Sequence, residues 1–219
     1  MPNTASRFLL SGLVAPAVLY SAGLAANPVI SELLYDATGT DNGLTFVELY
    51  GTPGTSLDGM FLDAVNGSDG AVYSSLALTG VIPTDGVFLI GDSNGGTTDI
   101  PGTDLIGEVD YQNGPDSVVL RLADTVLDAV GYGTFAAGDV FAGEGSPAVD
   151  PPSGSSIARF DPRADTDDNS LDFVALDIPT PGSVPAASPV PVPAALYLFG
   201  SGLLPLLRFR RGRQALRFA

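Results

Sequence analysis

The chain has 219 residues and a formal net charge of −16, and its nine basic residues, all arginines, face 25 acidic ones. It has no Cys, His or Lys, which excludes disulfide bridges, a histidine general base, Ser-His or Cys-His nucleophile pairs and Schiff-base chemistry. The acidic surface repels phosphate backbones and so argues against nucleic-acid binding, and the remaining enzyme chemistry is that of paired carboxylates.

Residues 1–26 have the layout of a secretory signal peptide. Arg7 lies in a short polar start, an apolar run begins at Phe8, and small residues follow. The run is too short to span a bilayer comfortably and leads directly into strand-like sequence, so an uncleaved anchor or a buried helix fits less well. We predict a signal helix that is cleaved after Ala25 or Ala26, and an exported mature protein.

From Val29 to Ile178, short β-branched and aromatic runs alternate with turn clusters of Gly, Asn, Asp and Pro, and no stretch has a helical period. Strand-like segments at this spacing indicate an all-β sandwich or barrel. About 150 residues can bury a core without a metal or a disulfide. The runs are PVISELLYD (28–36), TFVELYG (45–51), GMFLDAV (59–65), GAVYSSLAL (70–78), GVFLIGD (86–92), DSVVLRL (116–122), TVLDAVGYG (125–133), SSIARFD (155–161) and DFVALDI (172–178).

Two of these runs predict a hairpin. Val118, Leu120 and Leu122 alternate with Ser117, Val119 and Arg121, so one face of the strand points inward. The link after Leu122 is short enough for a tight turn. The following segment, residues 134–154, is rich in Gly, Ala and Pro, and we predict that it forms a mobile surface loop.

Carboxylates in the middle segment suggest two kinds of site. The acidic run at 165–172 offers oxygen ligands at alternating positions, as calcium requires, although it is not an EF-hand. We favour the alternative that its side chains cap local turns. Glu32 and Glu48 invite a carboxylate-pair hypothesis, but each lies in a strand-like run, and we expect both to face solvent. The candidate calcium ligands are Asp165, Asp167, Asn169 and Asp172.

Several segments, taken in order, resemble the lamin-tail domain family. The resemblance covers about residues 28–184 and implies an immunoglobulin-like β-sandwich with a display role and no reaction. We therefore assign residues 27–184 to one such domain. Gly51, Met60 and Pro185 depart from the family pattern. The matching segments are VISEL (29–33), FVELY (46–50), LDG (57–59), the hairpin at 116–133, SSIAR (155–159), DTDDNSLDF (165–173) and PTPGS (179–183).

The C-terminal part contains a Pro-rich spacer, residues 185–193, and an apolar stretch with an Arg-rich tail, residues 194–219. Five arginines, beginning at Arg208, follow the apolar stretch, as the positive-inside rule requires of a cytoplasmic flank. With its flanks the stretch can enter a bilayer, so we predict a hydrophobic membrane helix. A core helix fits poorly because prolines interrupt the stretch and no amphipathic face is present.

This end of the chain resembles a PEP-CTERM sorting signal of the VPLPA-like variant. The resemblance implies processing by a membrane protease, an exosortase, in a Gram-negative bacterium that makes exopolysaccharide. A plain single-span anchor is the alternative. The motif residues are Val190, Pro191, Pro193, Ala194, Ala195, Phe199, Gly200, Ser201 and Gly202.

These features predict an exported protein that is anchored in the inner membrane and then moves to the cell surface or the extracellular matrix. Its expected partners are the membrane, the sorting protease and exopolysaccharide, and nucleic acid is not among them. We expect a structural or binding module without enzymatic activity or cofactor. A calcium-stabilised adhesive or glycan-binding domain is the alternative, and a carboxylate-based hydrolase is the least favoured reading.

Overall fold

The computed structural model describes residues 26–184. The predicted signal helix, spacer, membrane helix and sorting motif lie outside these residues. Within the described part the chain forms strands, turns and one short helix, which confirms the prediction of an all-β fold. The elements are β1 Val29–Leu34, β2 Phe46–Tyr50, β3 Met60–Asn66, β4 Val72–Ala77, β5 Val87–Asp92, β6 Leu105–Gly107, β7 Asp116–Leu122, β8 Thr125–Tyr132, β9 Ser156–Arg159, α1 Asn169–Asp172 and β10 Phe173–Leu176. No helix between residues 26 and 184 is long and apolar enough to cross a membrane.

The strands form two sheets. The six-stranded sheet has the order β10-β9-β1-β2-β5-β6, and the four-stranded sheet has the order β4-β3-β7-β8. Neighbouring strands are antiparallel except for β5 and β6, which are parallel. Strand β6 was not predicted from the sequence, because three residues are too short to show a period.

One apolar core lies between the two sheets. It takes alternate residues from each strand, as the period of two requires. Leu33 and Val47 come from the six-stranded sheet, and Leu62, Leu120 and Val130 come from the four-stranded sheet; all five are fully buried. Burial of this apolar surface is the main stabilising contribution, at about 25 cal/mol per Å² removed from water.

The predicted hairpin is formed by β7 and β8. The turn consists of two residues, and Ala123 adopts a left-handed conformation with φ 50°. Arg121 Nη1 donates a hydrogen bond of 2.8 Å to the carbonyl oxygen of Ala123 and so braces the turn. Local sequence was sufficient to find this element, but two of its residues differ from the predicted alternation. Leu122, next to the turn, is exposed, and Val119 is buried in an apolar cluster on the outer face of the sheet.

The segment after β8, residues 134–154, is a surface loop in which most residues are exposed or half-buried. It has no strand; Ala142 packs on the outer face of the four-stranded sheet, whereas Ala148 belongs to the apolar core. Ala148 is buried and its N–H donates to Gly131 O at 2.8 Å, while Val140 N donates to Gly67 O at 2.6 Å. Ala142 packs on an outer apolar cluster that includes Val119.

Candidate functional site

A buried arginine is the centre of the first polar cluster. The Arg159 side chain, at the end of β9, is fully buried. Its Nη2 lies 2.6 Å from Asp128 Oδ1 and 4.0 Å from Glu144 Oε2. Its Nη1 lies 2.9 Å from Asp172 Oδ2 and 3.2 Å from Asp165 Oδ1. We call these five residues the Arg159 cluster.

The cluster needs its guanidinium because a buried charge must be paired. Four carboxyl groups surround this one cation. They come from β8, from α1 and from two loops. Burial raises the pKa of Asp128, and Arg159 opposes that shift. Because Asp128 also accepts a hydrogen bond from Ile30 N at 2.5 Å, we assign it as the ionised partner of Arg159.

Glu144 is a second member of the cluster whose pKa is raised. Burial and the neighbouring charges of Asp128 and Asp165 raise its pKa. As a carboxylate, its buried Oε2 has no hydrogen-bond partner among the described residues. A proton on Glu144 lets it donate to Asp128 and relieves the repulsion between them.

The four predicted calcium ligands make hydrogen bonds and ion pairs with different groups of the protein. Asp165 and Asp172 bind Arg159. Asp172 also accepts from Thr166, from the backbone N–H at 3.0 Å and from the hydroxyl at 2.8 Å. Asp167 adopts a left-handed conformation with φ 55°, and its N–H donates to Asp165. The bonds to the backbone N–H groups of Thr166 and Asp167 are those of the turn-capping alternative, whereas the ion pairs with Arg159 were not predicted.

Asn169, the fourth of these residues, binds the outer edge of β8. Its Nδ2 donates to Ala129 O at 2.8 Å, and its Oδ1 accepts from Gly131 N at 2.9 Å. The same Oδ1 accepts from Glu144 N at 3.0 Å. Helix α1 places Asn169 there, and the preceding Asp168 caps the helix by accepting from Ser170 N. Asn169 therefore joins the acidic run to the four-stranded sheet.

A different set of acids lies close enough to hold an ion. Asp128, Glu144 and Asp165 each offer an oxygen, and these oxygens lie within 4.8 Å of one another. Of the predicted ligands, this set contains Asp165 alone. The Arg159 guanidinium already supplies a positive charge beside all three.

The second polar cluster is the pair Glu32 and Glu48. The prediction that both face solvent is wrong: they are buried, with exposures of 1% and 0%. They are direct neighbours across β1 and β2, on the face turned away from the core. The physical reason is that residues 180–183, far along the chain, cover this outer face.

Six hydrogen-bond donors surround the pair. Burial raises the pKa of Glu48 to about 7, and hydrogen bonds that include one from Ser31 oppose this shift. The charge of Glu32 adds to the rise. The donors are Ser156 Oγ (2.6 Å), Thr180 N (2.8 Å) and Thr180 Oγ1 (2.6 Å) to Glu32, and Ser31 Oγ (2.7 Å), Gly182 N (2.8 Å) and Ser183 N (3.2 Å) to Glu48.

A surface hollow of about 480 Å³ adjoins the Arg159 cluster. Val29, Tyr50 and Leu127 form part of its wall, together with Arg163 and Asp165. The Arg163 guanidinium lies 5.1 Å from the centre of the Tyr50 ring, which places a cation on an aromatic face.

Comparison of the chain with protein-family models, with curated proteins and with solved structures finds no match. The geometry of the two clusters, together with the sequence motifs, is therefore the basis for inferring a function.

Proposed function

We propose that this protein is an exported surface or matrix protein whose β-domain is a structural or binding module without enzymatic activity. In this proposal the N-terminal signal directs export, and the C-terminal segment holds the protein in the inner membrane until a sorting protease acts. The domain is an immunoglobulin-like sandwich of the lamin-tail type.

One observation carries the non-enzymatic assignment. Glycoside hydrolysis by two carboxyl groups requires them to flank the substrate with room for it between them. Glu32 and Glu48 instead lie beneath residues 180–183 and accept hydrogen bonds from the protein's own groups. This arrangement supports an architectural role for the pair.

The lamin-tail assignment is supported by the way the resembling segments meet. VISEL lies in β1 and FVELY in β2, and these strands are neighbours. SSIAR lies in β9, on the other side of β1. PTPGS closes over the first two segments through Thr180 and Gly182. Motifs that are far apart in the sequence thus form one connected unit.

The proposal is tested by expressing the full chain in a Gram-negative host that has an exosortase. Mass spectrometry of the mature protein is expected to find an N-terminus at Ala26 or Asn27 and a C-terminus that lacks Phe199. Deletion of residues 190–219 is expected to move the protein from the membrane fraction to the periplasm or the medium. Recovery of an intact Ala219 would reduce the C-terminal segment to a plain anchor.

The second candidate is a calcium-stabilised adhesive or glycan-binding domain. It is favoured by the closeness of Asp128, Glu144 and Asp165. Because the Arg159 guanidinium already lies beside these three acids, we expect no calcium-specific stabilisation. Millimolar calcium should give the same melting temperature as magnesium at equal ionic strength. A rise that is specific for calcium and absent from Asp165→Asn would favour the second candidate, because binding to the native state alone stabilises it.

A further inference from the structure

We propose that Glu32 and Glu48 form a clasp that holds residues 180–183, the strap, on the outer face of the six-stranded sheet. The clasp fixes the point at which the C-terminal part of the chain leaves the β-domain. The clasp and the strap both lie within the β-domain, so they form whether the tail is processed, anchored or absent.

The strap is shaped to present its N–H groups. Thr180 to Ser183 form a β-turn in which Ser183 N donates to Thr180 O at 3.0 Å. Pro181 at the second position and Gly182 at the third, with φ 77°, are the residues that a type II turn requires. The left-handed glycine turns two successive N–H groups towards one acceptor, which is the geometry of an anion-binding nest.

The clasp supplies that acceptor. Oε2 of Glu48 accepts from Gly182 N at 2.8 Å and from Ser183 N at 3.2 Å. Glu32 binds the beginning of the strap, accepting from Thr180 N at 2.8 Å and from Thr180 Oγ1 at 2.6 Å. The strap therefore contributes four of the six donors around the pair.

The clasp can open without unfolding the core. When the strap leaves, water replaces its four donors, and the two buried carboxyl groups become solvated. The apolar residues between the sheets do not contact water in this step. Opening is therefore a local event of the kind that hydrogen exchange detects, separate from global unfolding.

Amide hydrogen exchange of the full chain tests the clasp. In the wild type, the amides of Thr180, Gly182 and Ser183 are expected to be protected. Glu48→Ala is expected to accelerate exchange at Gly182 and Ser183 by about tenfold or more, because both N–H groups lose their acceptor. The exchange of Leu120 in the core is expected to stay unchanged.

Two further variants keep the test decisive. Asp177→Ala removes an exposed charge next to the strap and is the matched control, expected to change none of these amides. If Glu48→Ala fails to fold, Gly182→Ala loosens the strap from its own side, since a side chain strains a residue at φ 77°. Wild-type strap amides that exchange as fast as an unstructured peptide would overturn the clasp. Equal acceleration of strap and core would also overturn it, because the pair would then act on global stability.

Discussion

Arg159 holds several distant parts of the chain together. Its guanidinium binds partners from β8, from α1 and from the loops on either side of β9. A lysine cannot reproduce these contacts, because an ammonium is a point charge, whereas the guanidinium is a planar fork with five donors. The stability of the domain therefore depends on this residue more than on any exposed arginine.

We expect Arg159→Met to destabilise the domain by about 3–5 kcal/mol, because the variant leaves buried acids without their cation. Arg159→Lys should also destabilise it, by a smaller amount. Denaturant unfolding of each variant measures the change. Arg163→Lys is the matched control, since Arg163 is partly exposed and pairs with exposed Asp161 at 3.4 Å; its effect should stay within about 1 kcal/mol. Equal losses in the free energy of unfolding for the Arg159 and Arg163 variants would contradict the central role of Arg159.

Glu48 gives the domain a pH dependence whose sign follows from its burial. Its pKa rises from 4.5 to about 7, so the folded state binds this proton more tightly than the unfolded state. The contribution to stability is fully present below pH 4.5 and is lost as the pH rises through 7. Glu48→Gln lacks this proton equilibrium. We expect its stability relative to the wild type to increase by on the order of 3 kcal/mol across that window.

Denaturant unfolding at several pH values measures this difference, and Asp177→Asn is the control for loss of an exposed acid. Parallel pH profiles for the wild type and Glu48→Gln would show that Glu48 does not titrate in this range.

At the scale of elements, the short helix α1 is important because it positions Asn169. Its four residues carry no apolar stripe, and their first residue, Asn169, bonds both the edge of β8 and the loop at Glu144. A helix of one turn has little stability of its own, so these contacts hold it in position.

Asn169→Ala is expected to destabilise the domain by about 2–3 kcal/mol, because buried backbone groups on β8 lose their partners. The amide of Gly131 should exchange faster, whereas that of Val118, in the interior of the same sheet, should change less. Ser170→Ala, an exposed neighbour on the same helix, is the control. If Asn169→Ala left the free energy of unfolding unchanged, water would replace the hydrogen bonds of the side chain without loss of stability.

Elements defined by local sequence could be predicted, and those defined by distant contacts could not. The hairpin was found because the alternation at Val118 and Leu120 and the turn after Leu122 are adjacent in the chain. The burial of Glu32 was missed because the residue that covers it, Thr180, is 148 positions away. The partners of Arg159 reach back 129 positions, to Ile30. Alternation shows which face a side chain takes, but not what later covers that face.

For the whole molecule, the dominant property is unbalanced negative charge. All 25 acidic residues lie between Glu32 and Asp177, with three arginines among them. Each of these arginines is already paired: Arg121 with Asp63, Arg159 within its cluster, and Arg163 with Asp161. The remaining acids repel one another, and this repulsion disfavours the compact state.

Raising sodium chloride from 10 to 150 mM is therefore expected to raise the melting temperature. The added salt shortens the screening length from about 30 Å to about 8 Å, which weakens repulsion across the surface but leaves the buried Arg159 pairs intact. A gain of 1 kcal/mol corresponds to about 2–4 °C in a domain of this size. Calorimetry at constant pH measures it, and a fall in melting temperature would contradict it.

The contacts that Asn169 and Ala148 make with β8 have a consequence for the behaviour of many copies together. Strand β8 is the last strand of its sheet, and a bare strand edge is a template on which another chain can add its own strand. The Asn169 side chain donates to Ala129 O and accepts from Gly131 N, and the backbone N–H of Ala148 donates to Gly131 O. The side chain and the loop thus act as a guard against intermolecular sheet growth. Loss of this guard would turn a stability defect into a concentration-dependent aggregation defect, with fibrils nucleating at β8.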